Sequence, residues 1–401
     1  MDFRNDDKIA QHVTLFQERM KEVCDQDLYF YNQPVEELRG GARVIVHGRE
    51  MGMYASYSYL GLGNHPRINA AAKAAIDKFG TGTHGVRTLA GTLTIHDELE
   101  KTISTFKQAE AAITFSSGYV TNLTTIASLV GRNDFVLCDK LNHASIVDGC
   151  LISGAEMRRF KHNDMADLEK RLKQAPAGAT KLVIADAIFS MDGDILDLPK
   201  VAELCRQYSA YLMVDEAHSV GVLGKTGRGI EEHFDMPGSV DIKMGTLSKT
   251  IPSVGGYIAA KKELIDYLRH TSRAYIFSAA LPPAQAAAAN EAFKVILDEP
   301  WRIDKLWQNT RQFLDGLKGL GFDTMLSATA IVPVLCETDE RAFALTQTCQ
   351  RNDLFVLPVV SPAVPQGLAR LRLTVTAAHE AHEIQYAMDV IGKAGREIGI
   401  I

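Results

Sequence analysis

The sequence predicts an α/β fold in which a mostly parallel sheet is covered by helices on both faces. Short β-prone apolar runs alternate with helix-patterned segments between residues 111 and 260, an alternation that is typical of such sheets. Polar side chains suited to catalysis or ligand binding directly follow several of these runs. In α/β sheets, ligands bind at this position, the carboxyl ends of the strands. After Leu281-Pro-Pro283 the pattern changes to a long helix followed by mixed helices and strands, which indicates a smaller α+β domain.

Three units are predicted along the chain. Residues 1–55 form a helix and a hairpin arm, because Gly48 separates two short β-prone runs at 43–46 and 51–55. Residues 56–285 form the large domain and residues 286–401 the smaller one. The predicted strands of the large domain are 111–115, 135–138, 157–160, 181–185, 211–214, 241–245 and 256–260, and those of the smaller domain are 328–335, 354–357 and 371–375.

Composition excludes several classes of protein. The 401 residues carry a net charge of −6 and contain no run of Lys and Arg, which argues against nucleic-acid binding. No apolar run is long enough to predict a membrane span or a secretory leader, so a cytoplasmic location is the default expectation. The six cysteines form no Cys-x-x-Cys pair, and no metal site is expected.

The stretch Met244-Gly-Thr-Leu-Ser-Lys-Thr250 places a primary amine, Lys249, among hydroxyl groups at a predicted strand end. Pyridoxal 5'-phosphate needs such an amine for its aldehyde, donors for its phosphate and an acidic partner for its pyridine nitrogen. Asp215 follows a buried run and is suited to the pyridine nitrogen, with His218 three residues on. A lysine among Ser and Thr is more often a solvated loop, and an Asp after a strand is more often a helix cap. Their occurrence in order along one chain favours the cofactor.

The remaining candidate cofactor contacts lie at other predicted strand ends. Ser117, Gly118 and Tyr119 open a helix whose N-terminal N–H groups can hold a phosphate, and Thr246 and Ser248 can join them. His143 is suited to stacking on the cofactor ring, with a core histidine as the alternative. Ser190 and His218 are suited to hydrogen-bonding the cofactor's phenolic oxygen.

Ordered motifs over residues 50–385 resemble the α-oxoamine synthase family, a group that includes glycine C-acetyltransferase-like, 8-amino-7-oxononanoate synthase-like and serine palmitoyltransferase-like enzymes. The motifs include Tyr59-Leu-Gly-Leu, Ser117-Gly-Tyr, Asn142-His-Ala-Ser-Ile-Val-Asp-Gly149, Phe189-Ser-Met-Asp-Gly-Asp194, Val214-Asp-Glu-Ala-His218, Gly245-Thr-Leu-Ser-Lys249, Arg273-Ala-Tyr-Ile-Phe-Ser278 and Arg370-Leu-Arg-Leu-Thr.

The resemblance implies a fold-type I pyridoxal phosphate-dependent transferase with a seven-stranded-type sheet, acting as a homodimer with shared active sites. It implies decarboxylative condensation of a small amino acid (glycine, alanine or serine) with an acyl thioester on CoA or an acyl carrier protein, giving an α-amino ketone. Lys249 would be the catalytic base, with His143, Asp215 and His218 as further catalytic residues. Arg372 would bind the substrate carboxylate, and Ser278 with Ala279 would reach the phosphate in the neighbouring subunit.

Three positions depart from the family pattern, and they leave the substrate open. Ser58 stands where Asn or Asp is common near the amino-acid substrate, Ser361 where Arg is frequent, and Pro252 where Gly is frequent. The cofactor site is therefore predicted to be complete and the substrate pocket altered. A pyridoxal phosphate-dependent aminotransferase and a non-catalytic partner subunit are the alternatives, although the retained Lys249 disfavours the second.

Overall fold

A computed structural model of the protein describes residues 7–401, so the first six residues of the predicted helix and hairpin arm at 1–55 lie outside the described chain. The helices are α1 Lys8–Asp25, α2 Pro66–Phe79, α3 Thr94–Phe106, α4 Gly118–Leu129, α5 Ala144–Ser153, α6 Met165–Leu172, α7 Leu198–Gln207, α8 Ile230–His233, α9 Lys262–Thr271, α10 Arg273–Phe277, α11 Pro283–Asp298, α12 Trp301–Leu320, α13 Asp339–Arg351 and α14 Ala381–Ile398. The strands are β1 Glu37–Arg39, β2 Arg43–Val46, β3 Arg49–Met53, β4 Ala111–Phe115, β5 Phe135–Asp139, β6 Glu156–Phe160, β7 Lys181–Asp186, β8 Tyr211–Asp215, β9 Ile242–Thr246, β10 Gly256–Ala260, β11 Ile331–Glu337, β12 Leu354–Phe355, β13 Pro358–Val359 and β14 Ala369–Thr374.

The central sheet has seven strands in the order β4-β10-β9-β8-β7-β5-β6, which confirms the predicted architecture. β10 runs antiparallel to both of its neighbours, and the other pairings are parallel. β5, β9 and β10 are buried along their whole length. Because helices cover both faces of a parallel sheet, its strands are apolar runs rather than alternating patterns, and this is why their positions could be predicted closely.

The register of the parallel strands brings polar residues from distant parts of the chain together. Asp186, at the end of β7, is the direct neighbour of Asp215, at the end of β8. Asp215 is in turn opposite Met244 on β9, five residues before Lys249. The carboxyl ends of these strands therefore meet at one edge of the sheet, as predicted.

The smaller C-terminal sheet has the order β11-β14-β13, and it corrects two predicted strands. The strand predicted at 328–335 begins only at Ile331, because the Ala328 N–H and the Thr329 hydroxyl are bonded to the carbonyl of Gly193 instead of to a strand. The strand predicted at 354–357 begins at Leu354 but ends at Phe355, and this two-residue strand, β12, pairs with β3. β13 follows at Pro358–Val359 and pairs with β14, so the chain passes from one sheet to another here.

The predicted N-terminal hairpin forms, with β2 at the predicted residues, but β3 begins at Arg49 and not at the predicted residue 51. β12 extends this sheet in parallel with β3. The hairpin arm therefore joins a strand that comes about 300 residues later in the chain. The three-unit division remains a prediction. No helix among residues 7–401 is both long and apolar enough to cross a bilayer.

A buried carboxylate, Glu100 on α3, ties together the elements at one side of the central sheet. Its Oε1 accepts hydrogen bonds from Arg87 Nη1 at 2.8 Å and from the Thr114 N–H at 3.0 Å. Its Oε2 accepts from Arg269 Nη2 at 2.8 Å. The Glu100 carboxylate thus connects three parts of the chain: Arg87 between α2 and α3, Thr114 on β4, and Arg269 on α9.

Replacing Glu100 with alanine is expected to lower the free energy of unfolding by about 3–5 kcal/mol, because it leaves the buried Arg87 guanidinium without its anion. Denaturant unfolding of the purified variant measures this loss. Glu98→Ala is the matched control, since Glu98 is exposed on the same helix and should cost less than about 0.5 kcal/mol. Equal losses in the two variants would contradict the assignment.

Candidate active site

A cavity of about 280 Å³ lies at the carboxyl ends of the central strands and brings most of the predicted site residues together. Ten predicted residues line it: Ser117, Gly118, Tyr119, His143, Ser190, Asp215, His218, Thr246, Ser248 and Lys249. They come from five separate segments of the chain, which lie at or just after the ends of β4, β5, β7, β8 and β9. Ser58, Ser278, Ala279 and Arg372 are not among its lining residues.

Lys249 lies in the turn after β9, and its amine reaches the cavity beside a histidine. Lys249 Nζ is 2.7 Å from His218 Nε2, and His218 Nδ1 is 2.7 Å from the Tyr59 hydroxyl. Burial lowers the pKa of Lys249 to about 8, against the opposing effect of Asp215 and Asp186. Burial and the Lys249 charge hold the pKa of His218 well below its ordinary value, so this ring is neutral. The amine can therefore exist in either protonation state near neutral pH.

Asp215 is buried and fully hydrogen-bonded at the end of β8. Its Oδ2 accepts from Asn122 Nδ2 at 2.7 Å, and its Oδ1 accepts from the Ala217 N–H at 2.9 Å. Donors on both oxygens fix the orientation of the carboxyl group. Since Asp215 and Lys249 line the same cavity, they are placed to act on one bound ring.

The N-terminus of α4 lines one side of the cavity. Ser117 is the N-cap, and its side chain accepts from the Val120 N–H at 3.2 Å. A Cβ on Gly118 would lie 2.9 Å from Thr246 Oγ1, so only glycine allows the helix to approach this strand end. Thr246 Oγ1 is in turn 2.9 Å from Ser248 Oγ. Backbone N–H groups at a helix start with nearby hydroxyls suit a phosphate.

His143 caps α5 at the cavity, and a hydrogen-bonded chain connects it to Asp215. His143 Nδ1 is 2.7 Å from Ser145 Oγ, which accepts from Asn122 Nδ2 at 2.9 Å. The same Asn122 amide group donates to Asp215. The group predicted to stack on the ring and the group predicted to hold the ring nitrogen are thus oriented by one network.

The loop that carries Ser190 is held by a charged histidine. His162 Nδ1 is 3.0 Å from Asp139 Oδ1, and His162 Nε2 is 2.9 Å from Asp194 Oδ2. These two carboxylates outweigh burial and raise the pKa of His162 to about 10, so the ring is charged at neutral pH. The imidazolium fixes the 189–194 loop against the end of β5, which places Ser190 in the cavity wall.

Arg372, on β14, lies behind this loop. Its Nε donates to the Ser190 carbonyl at 2.6 Å and its Nη1 to Thr374 Oγ1 at 3.0 Å, whereas its buried Nη2 has no hydrogen-bond partner in the described chain. The Tyr57 ring centroid lies 4.8 Å from the guanidinium carbon and 5.6 Å from Lys249 Nζ. Ser58, the next residue, is half-buried.

Ser278 and Ala279 lie apart from the cavity of their own chain. They follow α10, and Ala279 forms an isolated bridge with Val86. Phe277, just before them, is 71% exposed. Their predicted role toward a neighbouring subunit stays a prediction.

Sequence reasoning missed four residues that the structure places in or beside the site: Tyr59, Asn122, Ser145 and Asp186. Each of the four lies inside or next to a motif that the sequence analysis singled out. Each also makes a hydrogen bond to a residue from another segment of the chain, which no local pattern indicates. Asn122, for example, contacts Asp215 across 93 residues. The available signal for Asn122 was its place as a polar residue one turn into α4, the helix that begins at the predicted cofactor contacts.

Comparison with known proteins finds relatives and similar structures over nearly the whole chain. The family model for aminotransferase class I and II matches residues 53–391. The 8-amino-7-oxononanoate synthase of Thermoanaerobacter pseudethanolicus is 43% identical over 94% of this chain and 99% of the relative. Serine palmitoyltransferase of Sphingomonas wittichii superposes with a TM-score of 0.95 at 34% identity, over 98% of this chain and all of that one. A further serine palmitoyltransferase structure, determined with PLP, has a TM-score of 0.94 at 35% identity over the same shares.

The fold and the lysine–aspartate cavity define a fold-type I, pyridoxal phosphate-dependent transferase. Within that class the chain belongs to the α-oxoamine synthase family. The predicted family, enzyme class and cofactor are therefore confirmed, and so is the general reaction class of C-acyl transfer.

Proposed function

We propose that this enzyme condenses a small amino acid with an acyl thioester, releasing carbon dioxide and free thiol and giving an α-amino ketone. The observation that carries the proposal is the shared cavity. There the Lys249 amine lies 2.7 Å from a neutral histidine, and the Asp215 carboxylate is held by two donors. Together they provide a proton-transfer group and a fixed negative charge on one ligand site.

Pyridoxal phosphate fits the residues present. Ser117, Gly118 and Tyr119 with Thr246 and Ser248 would hold its phosphate, Asp215 its ring nitrogen and His143 one ring face, while Ser190 and His218 would bind its phenolic oxygen. When bound, it supplies an electron sink for the α-carbon of an amino acid. Because Gly118 has no Cβ, the start of α4 lies against Thr246, so the helix N–H groups and the hydroxyls after β9 could donate to one phosphate.

Lys249 would move the proton at the α-carbon of the amino acid. A pKa of about 8 lets this amine accept a proton and return it near neutral pH. His218 stays neutral beside it and keeps the amine oriented toward the cavity.

The low pKa of Lys249 predicts how fast the protein stripped of cofactor captures added pyridoxal phosphate. Only the neutral amine attacks an aldehyde, so the rate should rise with pH and level off above about 8. Stopped-flow absorbance measures this profile. A rate that keeps rising toward the ordinary lysine value of 10.5 would contradict the burial argument.

Arg372 would bind the substrate carboxylate. Two of its nitrogens are already fixed by Ser190 and Thr374, which leaves the buried Nη2 to donate to a carboxylate oxygen. The guanidinium and the Lys249 amine lie 4.8 and 5.6 Å from the centroid of the same Tyr57 ring. Ser58, beside Tyr57, would contact the same substrate.

We favour alanine as the amino acid. The name of the relative, 8-amino-7-oxononanoate synthase, describes a nine-carbon product with its amino group next to the terminal methyl. Two carbons of alanine joined to a seven-carbon acyl group give that skeleton. Glycine and serine are the other candidates, serine because serine palmitoyltransferases share the fold so closely.

A panel of acyl-CoA and acyl carrier protein thioesters with alanine, glycine and serine tests the proposal. Thiol and carbon dioxide should appear in equal amounts, with one amino acid clearly preferred. Amino transfer to a keto acid without thiol release would instead establish an aminotransferase, and no turnover with a bound cofactor would favour a non-catalytic subunit. The same panel distinguishes CoA from a carrier protein as the acyl donor.

We infer that the enzyme is a homodimer with shared active sites. The exposed Phe277 and the 83% exposed Leu89 each stand close in sequence to one residue of the Val86–Ala279 bridge, so both segments beside Ser278 carry an exposed apolar side chain. Mixing Lys249→Ala with Ser278→Asp protomers should restore activity, because each mixed dimer contains one intact site. Absence of recovery, or a monomeric mass in sedimentation, would contradict sharing. A cytoplasmic location stays a prediction, which cell fractionation tests.

A further inference from the structure

Asp186 is a second carboxyl group in the cavity, and the assigned roles leave it without a function. It ends β7 directly beside Asp215, and both side chains line the cavity that contains Lys249. Asp186 is only 3% exposed. Two carboxylates this close in a buried site do not both ionise readily, because each charge disfavours the other.

The hydrogen bonds of the two residues differ in a way that distinguishes their protonation states. Asp215 has a donor on each oxygen, at 2.7 and 2.9 Å. Asp186 has one, the His143 N–H at 3.2 Å from its Oδ2, and its buried Oδ1 has no partner in the described chain. Burying an ionised carboxylate whose oxygens lack donors costs far more free energy than burying a neutral carboxylic acid in the same place.

The charged groups around Asp186 agree with this difference. Burial has the largest effect and raises the pKa of Asp186 well above its ordinary value, and Asp215 on β8 and Asp139 on β5 raise it further. Lys249 and the His143 N–H oppose them without outweighing burial.

We propose that Asp186 is a positioning residue that stays protonated beside Asp215, so that Asp215 carries the single negative charge opposite the cofactor's ring nitrogen. Its carbonyl oxygen accepts the His143 N–H and so holds the start of α5, from which the His143 ring reaches the cavity. The inference rests on the proposed function for the ligand's identity, but the protonation state of Asp186 can be measured without any reaction.

Infrared spectroscopy of the protein stripped of cofactor tests the protonation state. The spectrum of the wild type minus that of Asp186→Asn should contain a protonated-carboxyl C=O band at neutral pH. Asp197→Asn, which alters an N-cap aspartate outside the cavity, should produce no such band. A carboxylate band in place of the protonated one would overturn the proposal.

Cofactor binding provides the second readout. Asparagine keeps an acceptor for His143 and carries no charge, so the pyridoxal phosphate dissociation constant should rise no more than about threefold in Asp186→Asn. Asp186→Leu removes the acceptor and should weaken binding about tenfold, with circular dichroism confirming that it folds. Equal weakening in both variants would overturn the proposal. If the infrared band is present but every thioester fails, the proposed function is wrong and this inference stands.

Discussion

Replacing Lys249 with alanine is expected to reduce turnover by at least about 10⁴-fold, because one side chain supplies both the covalent link to the cofactor and the proton-transfer group. The fold should remain intact, since the turn after β9 is positioned by backbone contacts and by Leu247, a core residue. Thiol release in the purified variant measures the loss, and far-ultraviolet circular dichroism checks the fold.

Lys225→Ala is the matched control for that experiment. Lys225 is an exposed lysine outside the cavity, so its removal should leave turnover within about twofold of the wild type. Turnover retained by Lys249→Ala would refute the assignment of Lys249, whatever the control shows.

The second large effect is expected from Asp215→Asn. The amide is nearly isosteric but lacks the negative charge that keeps a pyridine nitrogen protonated, so kcat should fall about 10²- to 10³-fold. Cofactor affinity should fall less, by about tenfold, since the phosphate contacts remain. Steady-state kinetics and a cofactor titration separate the two effects.

Asn122→Ala gives a graded comparison, because it removes one of the two donors on Asp215 and leaves the carboxylate in place. Its loss of kcat should be intermediate between those of the wild type and Asp215→Asn. If Asp215→Asn released the cofactor while the activity per bound cofactor stayed normal, the role assigned to this carboxylate would be wrong.

The sequence was sufficient to predict the central sheet and its polar edge, because a strand buried on both faces is a short, nearly continuous apolar run. β4 and β10 begin and end at the predicted residues, and the predicted β5 ends one residue before the observed strand. The groups that follow these strands converge because parallel register aligns their ends.

Other features could not be predicted in this way, because they depend on contacts between distant segments. Tyr59 contacts His218 across 159 residues, and no local pattern indicates that pairing. The segment around Leu354 is divided between two sheets because its partners are β3, near the N-terminus, and β14, near the C-terminus. Asp186 and Asp215 likewise differ in hydrogen bonding because the fold places Asn122 next to Asp215 and the His143 N–H next to Asp186. The sequence alone does not indicate either contact.

Borohydride reduction of the enzyme loaded with pyridoxal phosphate, followed by peptide mass mapping, tests the central claim most directly. The amine beside His218 should become irreversibly modified, so that a single peptide containing Lys249 carries the added mass. A label on another lysine, or a protein that binds the cofactor without any label, would contradict the account.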